Sequence, residues 1–382
     1  MRARRLGVAS VGLLLGAAAM AEPPPLATEH LDVAHLPNPS PHWAFVYDMA
    51  SANQTDARVW IFDGDRYEHL GQIDGGYWPS VAMSADRRTT AVVTTYFSRG
   101  WHGTRTDVVE FNDNSTLLPT REIVLPPKRM QGPPSAFAVA YSADERFLYV
   151  SNLTPAASFT VVNLATGAIA GEVETDGCVL VIAGGARRVS SLCESGRLLT
   201  VTLDEAGHEA GRALSKPFFD ADKDPIFVQG QPVGSRVVFL SFLGDVYTVD
   251  LSAAEPAFAA PWPMTTAAEH GHWRPSGNQV VAVHAGRKRL YAPMHAAGEG
   301  MHKEGGTEIW VFDTESHQRL ARWPIDAKRY GPVVAVQITS DEHPLLFAVT
   351  ETATLLVLDP DTGRLRHAEE KVGQSGWYLV SP

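Results

Sequence analysis

"RVWIFDGDRYEHLGQI", residues 58 to 73, returns 250 residues later as "EIWVFDTESHQRLARW", residues 308 to 323. Each copy alternates with period two, placing Val59 and Ile61, or Ile309 and Val311, on one face, and then meets an acidic residue that turns the chain. That is the pattern of a β-strand closed by a tight turn. Weaker copies read "VVEFNDNS" (108 to 115), "FTVVNLATG" (159 to 167), "LLTVTLDEAG" (198 to 207), "VYTVDLSAA" (246 to 254) and "LLVLDPDTG" (355 to 363), seven in all. Aligned at Asp63, Asn112, Asn163, Thr202, Asp250, Asp313 and Asp359, they are spaced by 49, 51, 39, 48, 63 and 46 residues. Such spacing suits a four-stranded unit and is too long for helical repeats of the ankyrin or tetratricopeptide kind.

The residues before the phrases supply two further strands. "SVAMSADRRTTAVVTTY" (80 to 96), "AFAVAYSADERFLYVSNL" (136 to 153) and "VVAVQITSDEHPLLFAVT" (333 to 350) read as strand, Ser-Ala-Asp or Ser-Asp-Glu turn, strand. A fourth short strand follows each phrase. The sequence therefore predicts an all-β fold, a seven-bladed β-propeller of four-stranded antiparallel blades over residues 43–382, in which radial repetition leaves only short protected edges. Blade one has "HWAFVYD" (42 to 48) before its phrase but lacks a first strand, and the C-terminal "GWYLVSP" (376 to 382) has the pattern of the missing one. The expectation is a ring closed by the C-terminal strand.

With 382 residues, 45% of them hydrophobic, the chain can bury a large core. Its start reads differently. Arg2, Arg4 and Arg5 precede an apolar run from Leu6 to Ala19, and Ala19-Met20-Ala21 offers small residues for cleavage, so residues 1–21 are expected to be a signal peptide cut after Ala21. The protein is then exported. No later stretch approaches the roughly 20 apolar residues of a membrane helix. Loss of the three arginines takes the formal charge from -11 to -14, which disfavours nucleic acid and suits solubility or a basic partner. Residues 22–42, proline-rich and without blade pattern, read as an extended N-terminal arm or a disordered leader.

Cys178 and Cys193 are the only cysteines and flank a hairpin turned at Gly184-Gly185, so in an exported chain they are expected to form a disulfide. Five histidines invite a metal reading: His270 and His272 alternate in "EHGHW", and His284, His295 and His302 follow in the same blade. Alternation on a strand puts two imidazoles on one face, yet no acidic or cysteine partner has diagnostic spacing, and structural histidines are the preferred reading. "DADKD" (220 to 224) resembles the start of a calcium loop but carries Pro225 where an EF-hand needs glycine, so it reads as a solvated loop. No nucleophile elbow, zinc-protease helix or phosphate-binding glycine loop occurs. Motifs alone stop at an exported propeller.

Longer phrases add a resemblance. "YFSRGWHGTRTDVVEF" (96 to 111), "LPPKRMQG" (125 to 132), "DKDPIF" (222 to 227), "HWRPSGNQVVAVHAGRKRLYAPMH" (272 to 295), "MHKEGGTEIWVFDT" (301 to 314) and the Cys178/Cys193 spacing resemble the heavy chain of the quinoprotein amine dehydrogenases, from blade two to blade seven. The resemblance implies a periplasmic assembly of two heavy and two light chains. In it the light chain carries tryptophan tryptophylquinone, a primary amine is oxidised to aldehyde and ammonia, and a small blue copper protein accepts the electrons. This chain would bind no cofactor or metal, would carry no catalytic residue, and would act as scaffold and part of the substrate channel. "LPPKRMQG" and "DKDPIF" are more similar to the aromatic amine branch than to the methylamine branch. In the family the loop corresponding to "GGYWPS" (75 to 80) carries an aromatic side chain at the substrate entrance, which carries over most directly to Tyr77; Trp78 is the second channel candidate, with packing between blades its preferred reading. On the residues alone two other readings stay open: a non-enzymatic exported propeller that binds a protein or ligand, and a stand-alone propeller enzyme such as a lactone hydrolase or a pyrroloquinoline-quinone dehydrogenase.

Overall fold

Each copy of the repeated phrase forms a strand flanked on both sides within an antiparallel sheet. The computed structural model describes residue 28 and residues 34–382 except 297 and 299; the expected signal peptide and most of the expected arm lie outside the described residues. The first strands are β1 (Trp43–Asp48), β2 (Ala57–Asp63), β3 (Glu68–Met83), β4 (Thr89–Arg99), β5 (His102–Asp113) and β6 (Pro119–Leu125). They pair in chain order, and the C-terminal strand Gly376–Val380 pairs with β1, giving one seven-stranded run. The 16-residue β3 belongs to two sheets: its first half pairs with β2 and its second with β4. Five further sheets of four or five strands follow, between Val139 and Glu369. The architecture is that of a β-propeller.

The repeated phrase turns out to encode packing on both faces. In β2 the aliphatic Val59 and Ile61 pack toward Val81 and Val92 of the next sheet, while Trp60 and Phe62 pack toward Phe347 and Val357 of the last. In Glu308–Asp313 the same holds: Ile309 and Val311 join Val336 and Leu346 of the following sheet, and Trp310 and Phe312 join Leu240 and Val246 of the preceding one. Alternation here separates aliphatic from aromatic, not inside from outside. Each of the seven main hydrophobic clusters spans two neighbouring sheets, and one of them joins the last sheet to the first.

The turn after the phrase recurs as well. The side-chain oxygen of Asp63 accepts from the N–H groups of Asp65 and Arg66, Asn163 from Ala165 and Thr166, Asp313 from Glu315 and Ser316, and Asp359 from Asp361 and Thr362. These are Asx-turns, in which a short polar side chain replaces a backbone turn. The structure corrects two of the aligned positions. Asp113 plays this part, not Asn112, and Asp204, not Thr202: the turns begin one and two residues later than the alignment placed them.

The C-terminal strand is held by more than its ladder. Phe45 faces Val380, Val46 faces Leu379, and the rings of Tyr47 and Tyr378 stack at 4.7 Å. The buried Asp48 carboxylate accepts from the N–H groups of Ala50, Gln374 and Ser375 and from the Trp60 indole. The Gln279 amide pairs with both backbone groups of Leu379, at 2.7 and 3.1 Å, as another strand would. Near this seam His42 places Nδ1 2.8 Å from Asp65 and Nε2 3.1 Å from Asp341, so both nitrogens must carry a proton to donate.

The disulfide joins Cys178 and Cys193 as directly opposed residues of paired strands, Cys178–Gly184 and Arg188–Cys193. Among the described residues no helix is long and apolar enough to cross a membrane.

Three outcomes follow for stability. Asp48→Ala strands four donors at the seam and should cost on the order of 3 kcal/mol, read from a denaturant midpoint. Loss of the disulfide, which closes a separation of 15 residues, should cost about 3 kcal/mol; two thiols open to alkylation in unreduced protein would contradict the bond. For His42, burial opposes protonation but the Asp65 and Asp341 bonds outweigh it, holding its pKa above the ordinary 6.5. A raised folded pKa gives stability that is complete below the ordinary value and lost as pH rises through the folded one. Melting temperature should therefore fall across about pH 6 to 8, and His42→Gln should flatten that slope.

Candidate functional site: an aromatic cleft on one face

Antiparallel order fixes which loops share a face. The hairpins between second and third strands, and the connections from one sheet to the next, emerge together where the first strands begin. On that face the Ser51–Thr55 turn, Tyr77, Phe97, Gly100 and Trp101 line a cleft of about 590 Å³. Trp101 is 80% exposed at its rim.

"GGYWPS" is not a loop, as the sequence had suggested, but the bend inside β3 where the strand changes partners. Gly76 faces Ala57 of β2, and the next residue, Tyr77, faces Thr95 of β4. The register slips on both sides of the change, at Gly75 and between Tyr77 and Ser80. The two glycines are needed there: a Cβ on Gly75 would meet the Ala57 carbonyl at 2.9 Å, and Gly76 has φ +64° with the Thr94 hydroxyl 2.8 Å from where a Cβ would stand. Trp78 also sits at positive φ, 41°, an uncommon state for a bulky residue.

The structure brings Tyr77 and Trp78 together but gives them different surroundings. Their rings stack at 5.4 Å, Phe97 meets Tyr77 edge-on at 5.7 Å, and Tyr77 lines the cleft. The Trp78 indole N–H is buried with no partner among the described residues.

Beneath this pair lies Arg129, 2% exposed. Its guanidinium donates to the carbonyls of Tyr77, Trp78 (3.1 Å) and Met130 (3.0 Å) and to the Thr95 hydroxyl (2.7 Å). Burial pulls its pKa down to about 10, which leaves it cationic at neutral pH. The nearby Asp107 carboxylate is engaged by Arg105 at 2.8 and 2.7 Å and also accepts from the Thr95 hydroxyl and the Arg129 N–H. Sequence reasoning missed Arg129, Phe97 and Trp101, although all three stand in the quoted phrases "LPPKRMQG" and "YFSRGWHGTRTDVVEF".

The five histidines are not brought together. His270 and His272 lie exposed in a turn before strand Trp273–Pro275, so the alternation on one strand face is overturned: the backbone turns at Thr266 to His272 through three i→i+3 and i→i+4 bonds. His284 is buried, accepting from the Arg287 N–H and donating to the Asp341 carbonyl at 2.8 Å. His295 is buried on strand Arg289–Ala296, and His302 stacks on Phe242 at 4.1 Å. Among the described residues no three His, Cys, Asp or Glu side chains gather as a metal site requires. In "DADKD" Asp220 caps its own turn, accepting from the N–H groups of Asp222 and Lys223.

Comparison with known proteins bears on the whole chain. A solved structure of a functionally unknown protein from Desulfotomaculum acetoxidans aligns with a TM-score of 0.58 over 89% of this chain and 98% of that one, at 13% identity, a likeness of fold alone. The methylamine dehydrogenase heavy chain of Methylophilus methylotrophus is 25% identical over 353 residues, covering 91% of this chain and 85% of the relative. That of Paracoccus versutus is 26% identical over 354 residues, covering 91% and 81%. The family model described as methylamine dehydrogenase heavy chain (MADH) matches residues 42–379, and the chain belongs to that family.

Proposed function

We propose that this chain is the heavy subunit of a periplasmic amine dehydrogenase that converts primary amines to aldehyde and ammonia. The observation that carries the reading is the family match over residues 42–379, which takes in every repeated sheet. In this reading residues 43–382 form one domain, a closed ring of seven blades, exported after cleavage behind Ala21. Two such chains assemble with two light chains. Tryptophan tryptophylquinone on the light chain supplies the redox chemistry, and a small blue copper protein takes the electrons. The heavy chain binds the light chain on its loop face, and its own residues shape the route to the quinone.

The aromatic cleft supports a channel role. Tyr77, Phe97 and Trp101 offer π-faces to an apolar amine substituent, and in an ammonium substrate the cation is itself attracted to such faces. A cleft of this size, with three rings facing the Ser51–Thr55 turn, has room for an arylalkylamine, and on that ground we favour such a substrate over methylamine.

Co-expression with and without the light chain tests the assignment. The isolated heavy chain should give no amine-dependent dye reduction, and the assembled enzyme should. Within the assembly, Tyr77→Ala should change the kcat/KM ratio between a bulky aromatic amine and methylamine by about tenfold while leaving light-chain binding intact. Robust activity of the heavy chain alone would overturn the subunit reading. Lost assembly with an unaltered ratio would make Tyr77 an interface residue.

A further inference from the structure

The segment that carries Tyr77 cannot hold its own shape. Between Tyr77 and Ser80 the register with β4 slips, so the carbonyl of Tyr77 stands at the edge of the break and that of Trp78 within it, where a carbonyl takes other donors. The positive φ of Trp78 persists only where its surroundings over-determine it. The guanidinium of Arg129 reaches both carbonyls, and the Thr94 hydroxyl adds a longer bond of 3.4 Å to the first. Because Arg105 already holds Asp107 with two bonds, the charged head of Arg129 is left free for the backbone of the bend. Its planar fork is suited to this: one group bridges the Tyr77, Trp78 and Met130 carbonyls while its Nε bonds the Thr95 hydroxyl. A lysine would bring the charge without the fork.

We propose that Arg129 is a specificity-determining positioning residue, whose buried guanidinium clamps the Tyr77 and Trp78 carbonyls and so sets the angle at which the Tyr77 ring meets an incoming amine. The inference rests on the reading that Tyr77 lines the substrate route. Arg129 itself touches no substrate. It acts from beneath, 52 residues along the chain from Tyr77, and ties the cleft to the connection that leads from β6 to the third sheet.

The test uses the assembled enzyme and the isolated heavy chain, with Arg129→Lys, Tyr77→Ala and the double variant. Hydrogen exchange of a peptide covering residues 72–83 should accelerate at least about fivefold in Arg129→Lys, with the last sheet, residues 333–369, unchanged. In the assembly Arg129→Lys should move the aromatic-to-methylamine kcat/KM ratio in the same direction as Tyr77→Ala, by about fivefold and through KM. Added to Tyr77→Ala it should change the ratio no further, since both act through one ring. If Arg129→Lys does not fold, Thr95→Val, which removes the acceptor of Arg129 Nε, carries the same readouts. Unchanged exchange at 72–83, equal acceleration in every sheet, or a ratio that moves with Tyr77→Ala but not with the clamp variant would each overturn the proposal. A ratio unmoved by Tyr77→Ala would sink the channel reading instead, and the exchange result would still decide whether Arg129 holds the bend.

Discussion

A four-stranded sheet with two apolar faces can cover neither by itself, and every other feature of this chain answers to that constraint. The third strands show how directly the sequence meets it. In β2 and in Glu308–Asp313 valine and isoleucine point to the next sheet, tryptophan and phenylalanine to the previous one; in β5 Val109 and Phe111 share the face toward the next sheet. The sheet at the end of the chain needs a neighbour as much as any other, and it finds one in β1, β2 and the strand that pairs with them.

At three places a polar side chain bonds backbone groups as another strand would. Asp48 collects N–H groups at the seam between the two ends of the chain. Gln279 offers Leu379 both a donor and an acceptor, and Arg129 supplies donors to carbonyls where β3 changes sheets. Three different side chains meet one need, since a buried backbone group without a partner is costly. Two of them, Asp48 and Arg129, are buried charges whose partners are mostly backbone, which fixes local geometry more than it adds net stability.

With stability carried by the interfaces between sheets, the loops on one face are free to vary. The cleft of Tyr77, Phe97 and Trp101 is built there, on the bend of β3, the end of β4 and the turn that follows it, and its floor is anchored by Arg129 to the Thr95 hydroxyl of β4. A scaffold of this kind suits a subunit that shapes access to chemistry held elsewhere.

What the sequence determined by itself was the repeat: the seven phrases, their hairpins, the opposed cysteines and the strand-like C-terminus, because each is a pattern within ten or twenty neighbouring residues. Period two is legible in the repeated strands, and Asx-turns follow from one acidic or amide residue. Only the tertiary structure decided the rest. It showed that alternation in the two strongest copies sorts aliphatic from aromatic faces, that Asp113 and Asp204 cap turns assigned to Asn112 and Thr202, and that "GGYWPS" is a bend in a continuous strand. It placed His270 and His272 in a turn, and it set Arg129 under Tyr77. These depend on which sheet lies against which, and a carbonyl released by a register slip finds its donor in space, at whatever distance along the chain the fold brings one near.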